Sequence, residues 1–323
     1  MPVVSSNYKG PPFYYMNGHF ETIIPSMSRK IEGVNYQREQ IETPDDDFLN
    51  LDWLKNGHEK LLIISHGLEG GSDRHYVKAM AKLFTENGWD VLAWNNRSCN
   101  GEMNRQRILY HHAASYDVRT VVDHAMAVGS YDEVAMVGMS MGGGQTIRYL
   151  GEEPGFGLPQ QIKKAVAISV PCSLPESVDT LGLRSNKVYE KRFLNKLKDK
   201  LRRKAAQYPD IDIARLDEVK TLEAFDEIYS APLHGFSSRA DFYVHCNPFP
   251  FISKISKELL ILNALNDPLL VGNCYPYELA KGMSNLHLEA PERGGHVGFV
   301  IGGSEYTYSE LRTLEFLTET PMR

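Results

Sequence analysis

A serine boxed by glycines, an aspartate set before a proline and a histidine among glycines are the residues of this chain whose types and order can do chemistry. The run EVAMVGMSMGGGQTIRY (133–149) passes from a short apolar stretch through Gly-Met-Ser-Met-Gly into a helical pattern. A strand that turns sharply into a helix holds its central residue in a strained conformation, and Gly138 and Gly142 stand where a Cβ would collide. Ser140 is then the exposed nucleophile. Further on, ALNDP places Asp267 in a turn fixed by proline. PERGGHVGF places His296 beside Gly294, Gly295 and Gly298, which are expected to allow close approach to the serine. An imidazole takes a hydroxyl proton near neutral pH, and a buried carboxylate holds its tautomer and stabilises the transient charge. The chemistry is acyl transfer, with Ser140 as nucleophile, His296 as base and Asp267 as acid. Singly each motif is weak, since GxSxG arises by chance and a lone histidine is usually structural. Their order, each beyond an apolar run, carries the weight.

A fourth motif, HGLEGGS (66–72), follows another apolar run. Its glycines free the backbone to present amide hydrogens to a substrate carbonyl, so half of an oxyanion hole is expected here. The donors expected are the backbone amides of Leu68 and Met141. His66 is read as shaping that loop rather than as a base.

The elements that must position these groups are legible as alternating patterns. Strands are expected over 61–65, 90–94, 133–137, 164–170, 259–263 and 286–290, and helices over 76–87, 115–128, 141–150, 274–281 and 304–318. Such alternation implies an α/β architecture, a mostly parallel sheet covered by helices on both faces, with chemistry beyond the strand C-termini. Segments 37–42 and 48–53, flanking PDDD, read as an antiparallel edge hairpin. Between 172 and 254 the rhythm breaks into a basic helix, KVYEKRFLNKLKDKLRRKAAQ, a second helical stretch over 218–228 and the loop HGFSSRADFYVHC. One domain over 1–323 is expected, with 172–254 a helical cap inserted in it. Val188, Phe193, Leu194, Leu197 and Leu201 give the basic helix an apolar face, and its charged face is read as meeting water rather than a membrane.

The chain has 323 residues, 42% hydrophobic and 24% charged, and a formal net charge of −6, which argues against a nucleic-acid binder. Its four cysteines form no CxxC pair, so neither a disulfide framework nor a thiolate zinc site is expected. His111 and His112 lack partners at ligand spacing, and no metal or cofactor is expected. His19 is read as packing an N-terminal arm on the core. The polar stretch 95–107 is read as a buried brace. No signal peptide or span of roughly 20 apolar residues appears, so a cytoplasmic location is expected.

In the segments NGHFETIIP, HGLEGGSDRHYV, NNRSCNGEMNRQRILYHH, VGMSMGGGQTIRYLGE, NALNDP and GGHVGF, the chain resembles the YheT-like branch of the alpha/beta-hydrolase superfamily, over nearly its full length. The resemblance implies the alpha/beta-hydrolase fold, Ser140 as nucleophile, Asp267 as acid and His296 as base. It departs where the family usually has phenylalanine and glycine, here Asn96 and Ser98, and where Asn266 replaces the first aspartate of Asp-Asp-Pro. A serine hydrolase of short- to medium-chain carboxylic esters is the expected activity, with a small-molecule acyl ester as partner. Thioester or amide cleavage, acyl transfer to an alcohol, and non-catalytic ligand binding stand as alternatives.

Overall fold

The computed structural model describes residues 3–152, 155 and 157–319. Nine strands form one sheet: β1 (Val3–Val4), β2 (Gln37–Glu42), β3 (Phe48–Leu54), β4 (Lys60–Ser65), β5 (Asp90–Asn95), β6 (Glu133–Met139), β7 (Ile162–Ile168), β8 (Glu258–Leu262) and β9 (Leu286–Glu289). Their order is β1-β9-β8-β7-β6-β4-β5-β3-β2. The β2–β3 hairpin pairs antiparallel and joins β5 antiparallel, while the remaining strands pair in parallel.

The strands are apolar on both faces because helices cover both. In β4, Leu61 and Ile63 join one cluster and Leu62 and Ile64 the other, all four fully buried. Each such side chain contributes roughly 1.5–3 kcal/mol of burial. The first cluster is closed by α3 (Ser115–Val128) and α4 (Met141–Gly151), the second by α2 (His75–Glu86) and the last helix, α9 (Tyr308–Thr318). α9 begins four residues later than its apolar pattern, because Thr307 and Glu310 form a capping box. The helix expected from Cys274 begins at Tyr277, after Pro276, as α8 (Tyr277–Gly282).

Several elements were not legible. HGFSSRADFYVHC, expected as a loop, holds a helix over Arg239–Cys246 that Ser238 caps by accepting from the amide of Asp241, and the helix Leu174–Leu181 was not expected either. Val3–Val4 is too short for a period, yet it adds an edge strand beside β9. α1 (Gly18–Ser28), capped by Asn17 and containing Pro25, hides its pattern because its functional face is polar.

Between β7 and β8 the chain builds α5 (Leu174–Leu181), α6 (Lys187–Gln207), α7 (Arg239–Cys246) and shorter turns. The stretch expected as one helix over 218–228 is broken: Val219 is extended, and Thr221 caps a new turn at Leu222–Phe225. α6 and the turns after it share an apolar cluster that includes Tyr189, Leu194, Leu201, Leu216 and Phe225, while Phe242, Tyr243 and Cys246 of α7 pack with Leu174 of α5 and Ala231 in another.

The basic face of α6 corrects the expectation of a solvated surface. Lys204 is fully buried and its Nζ donates to the carbonyls of Asn104 and Gln106, each at 2.7 Å. Burial pushes its pKa down to about 8. Lys200 pairs with Glu69 at 2.6 Å. A lysine buries its stem readily when its ammonium finds acceptors, and carbonyls of the segment beneath supply them.

Candidate active site

The turn at Ser140 is fixed by sterics that are local. β6 ends at Met139 and α4 starts at Met141, leaving Ser140 between them at φ 53°, ψ −121°. A Cβ on Gly138 would lie 2.3 Å from the carbonyl oxygen of Gly142, and one on Gly142 the same distance from that of Ser65. Such a conformation costs a non-glycine residue roughly 1–3 kcal/mol, which the surrounding packing must impose.

Two loops beyond neighbouring strand ends meet this serine. Asp267 follows β8, and its buried carboxylate accepts a bond from the amide of Leu269 at 2.9 Å and one from His296 Nδ1 at 2.8 Å. His296 follows β9; with its proton on Nδ1, its Nε2 is left to accept the Ser140 hydroxyl at 2.9 Å. The structure thus brings together Ser140, His296 and Asp267. A hydroxyl, imidazole and carboxylate in this series can activate an alcohol oxygen for attack on an acyl carbon.

The glycines around His296 serve a different neighbour from the one expected. A Cβ on Gly298 would lie 2.2 Å from the carbonyl of Glu21, and one on Gly295 2.8 Å from that of Gly18. They admit α1, not the serine. Glu21, buried within α1, accepts from Arg293 at 2.8 and 2.6 Å, from the amide of Gly294 at 2.6 Å and from Asn266 at 2.9 Å. Asn266 in turn accepts from the amide of Gly295 at 3.0 Å, and Thr22 accepts from that of His296 at 2.8 Å. Sequence reasoning missed Glu21, Thr22 and Asn266 as supports. The one signal was NGHFETIIP, which marked the segment without giving it a role. His19 packs on Tyr189 of α6, ring centroids 5.8 Å apart, rather than on the sheet.

The loop after β4 is pinned on both sides. Gly67 donates to Tyr76 Oη at 3.1 Å and Glu69 to Tyr110 Oη at 2.9 Å, while Tyr110 returns a bond to the Glu69 carboxylate at 2.7 Å. Lys196 donates to the Glu69 carbonyl at 2.9 Å. His66 lies beneath: its Nε2 accepts from the amide of Asn96 at 3.1 Å, and its Nδ1 donates to the Gly67 carbonyl at 2.7 Å. Both nitrogens are committed, and burial pushes its pKa down to about 4. Leu68 lies beside Ser140 in the cavity walls, and Met141 is the first residue of α4, whose opening amides have no intrahelical acceptor. Among the described residues, neither amide donates to another protein group.

Segment 95–107 is knitted to the β2–β3 hairpin. Arg97, fully buried, pairs with Asp45, Asp47 and Asp117, and Asn104 donates to Asp47 at 2.6 Å. Ser98 has φ 62°, which accounts for the glycine usual there, and its hydroxyl donates to Asn104 at 2.7 Å. Asn96 lies behind His66 and accepts from Gln145 at 2.8 Å.

Two cavities meet at Ser140, His296, Leu68, Phe193 and Leu269. Their volumes, about 230 and 110 Å³, far exceed the ~15 Å³ that holds one water. The smaller runs under α5 and α6 between Leu174, Val178, Leu181, Leu197, Leu222 and Phe242. The larger opens past α1 and the start of α2. Among the described residues, no group of three His, Cys, Asp or Glu is placed to hold a metal ion, and no helix is long and apolar enough to cross a membrane.

The sheet order, the strained serine and the two loops that meet it define an alpha/beta hydrolase, and the model of the alpha/beta hydrolase fold matches residues 60–302: the chain belongs to that family. Within it the chain is YheT-like. It is 30% identical over 295 residues to the candidate esterase YheT of Escherichia coli (strain K12), covering 89% of this chain and 86% of that one. Phospholipase ABHD3 of Homo sapiens is 25% identical over 312 residues, covering 93% and 75%. Monoacylglycerol lipase of Saccharomyces cerevisiae is 26% identical over 285 residues, covering 85% and 62%. Among solved structures, an esterase of Pyrococcus furiosus shares the fold with a TM-score of 0.60 at 21% identity, covering 88% and 91%.

Proposed function

We propose that the protein is a serine hydrolase of carboxylic esters, with short- to medium-chain acyl groups held in the apolar cavity. The observation that carries the reading is the unbroken series Ser140–His296–Asp267 at 2.9 and 2.8 Å, beside two amides free to donate. Relatives named as esterase, phospholipase and monoacylglycerol lipase support an ester as the bond cleaved.

Ser140 Oγ attacks the carbonyl carbon while its proton passes to His296 Nε2. The carbonyl oxygen, now negative, accepts bonds from the amides of Leu68 and Met141; one such donor is worth about 3 kcal/mol of transition-state stabilisation. As the bond to the alcohol oxygen breaks, His296 delivers the proton to it. Water then repeats the sequence on the acyl-enzyme and releases the acid, while Asp267 holds the Nδ1 proton throughout. Segment 172–254 acts as a cap whose side chains select the acyl group, within one domain. The free thiols of Cys99, Cys172, Cys246 and Cys274 accord with a cytoplasmic location.

The test is hydrolysis of 4-nitrophenyl esters graded from two to sixteen carbons, with fluorophosphonate labelling in parallel. Ser140→Ala, His296→Ala and Asp267→Asn should each lower kcat by about a thousandfold or more in folded protein. Labelling that persists in Ser140→Ala removes the nucleophile assignment, and a rate optimum beyond twelve carbons removes the chain-length assignment.

A further inference from the structure

The larger cavity carries positive charge that the proposed reaction with a neutral ester leaves without a role. Arg74, Arg192 and Lys196 line it together with Ser140 and His296. Arg74 is half-buried at the start of α2, while Arg192 and Lys196 project from successive turns of α6. Among the described residues, neither guanidinium has a hydrogen-bonded or ion-paired partner, although the chain as a whole is acidic. Three carboxylates nearby are taken, Glu69 by Lys200 and Tyr110, Glu21 by Arg293 and Asp267 by His296, while Asp73, beside Arg74 in sequence, is exposed and forms no ion pair with it.

Two further features agree. Arg192, exposed at the cavity rim, has its pKa lowered, first by partial burial and then by the neighbouring charge of Arg74, so like charges face each other across this wall. His75, on the same wall, has a buried Nδ1 with no partner. α2 also opens here with no acidic residue in its first turn and no side-chain cap, so its amide end adds to the positive field.

We propose that Arg74 and Arg192 form an anion subsite on the alcohol side of the scissile bond, so that preferred substrates are esters whose alcohol carries a phosphate or carboxylate. The inference rests on Ser140 as nucleophile and adds a direction to the cleft. The apolar cavity under α5 and α6 takes the acyl chain, and the cationic one takes the alcohol. Two guanidinium forks match the oxygens of either anion in bidentate fashion. Lys196 is held to the Glu69 carbonyl at 2.9 Å, which links this wall to the loop carrying the Leu68 amide.

The experiment compares kcat/KM for octanoyl esters of four alcohols of similar size: 2-hydroxyethyl phosphate, 3-hydroxypropanoate, ethylene glycol and choline. The anionic esters should exceed the neutral one by about tenfold at low salt, and the choline ester should fall below it, with the spread shrinking as sodium chloride rises to 0.5 M. The faster of the two anions identifies the preferred group. Arg74→Gln with Arg192→Gln should bring the anionic-to-neutral ratio near one, and Arg192→Glu should tilt it toward choline. A wild-type ratio near one, or a ratio unmoved by these variants, overturns the subsite. So does an equal preference when the anion sits on the acyl side, as in the 4-nitrophenyl monoester of suberic acid. Unimpaired hydrolysis of the ethylene glycol ester by Ser140→Ala would instead overturn the nucleophile on which the inference rests.

Discussion

The Ser140 turn and the His296 loop hold two ends of one hydrogen bond, and they are held by different means. At Ser140 the constraint is backbone packing: β6, the two glycines and the start of α4 form it locally, and it closes on the Ser65 carbonyl at the end of the neighbouring strand β4. At His296 it comes from α1, some 270 positions earlier in the chain, through Glu21, Thr22 and the intermediary Asn266. One end is shaped by backbone sterics that leave no alternative. The other combines a close backbone approach, at Gly298 and Gly295 against α1, with polar contacts that can each be removed without a clash. The difference predicts how each end fails: the serine turn by unfolding, the histidine loop by losing alignment in a folded protein.

The largest effect should come from Gly142→Ala. Its new Cβ would meet backbone, 2.3 Å from the Ser65 carbonyl, and backbone cannot move aside as a flexible side chain can. The expected loss is more than about 3 kcal/mol, read as a lowered denaturant midpoint or absence of soluble protein. Near wild-type stability would show that the turn is looser than its geometry implies, and would remove the contrast.

Next comes acid. His66 lies under the loop beside the serine turn, and its folded pKa of about 4 is below the ordinary histidine value. Between pH 6.5 and 4 the unfolded chain therefore binds more protons here than the folded one, so this contribution is present above 6.5 and is lost as pH falls toward 4. The loss is up to about 3 kcal/mol. His66→Gln keeps a donor for the Gly67 carbonyl and an acceptor for the Asn96 amide without the titration, so its stability should fall less steeply over that interval. Parallel curves for variant and wild type would show that His66 carries none of the acid sensitivity.

The same contrast decides what was legible. The alternating strands and helices, the edge hairpin and the alpha/beta-hydrolase fold could be read because each is a local pattern, apolar on the faces that helices cover. β6 and α4 around GMSMG are of that kind. Glu21 could not be read as a support, because a buried carboxylate looks like a surface one until Arg293, Gly294 and Asn266 are seen around it. The inward lysines of α6 were misread for the same reason: Lys204 finds its acceptors about 100 residues away, at Asn104 and Gln106. Arg97, among polar neighbours after a strand, was readable as a brace, whereas its three aspartate partners were not.

Glu21→Gln probes the weaker end and should have the smallest effect of the three. The carboxamide cannot pair ionically with Arg293, and its NH2 would face either the Arg293 guanidinium or, turned over, both the amide of Gly294 and the Asn266 donor. Arg293 is one-third exposed and can turn to water, so the fold should survive with a modest drop in Tm. The His296 loop then shifts, and kcat should fall by about 10- to 100-fold with KM little changed, as expected when groups are misplaced by fractions of an ångström. A structural fault alone could also lower the rate, and the double variant separates the two. If Glu21 acts through the imidazole, adding Glu21→Gln to His296→Ala costs nothing further in kcat, because the group it positions is already gone. A full additional loss would mean that α1 supports the site by another route, and the division between a sterically held serine and a polar-held histidine would not stand.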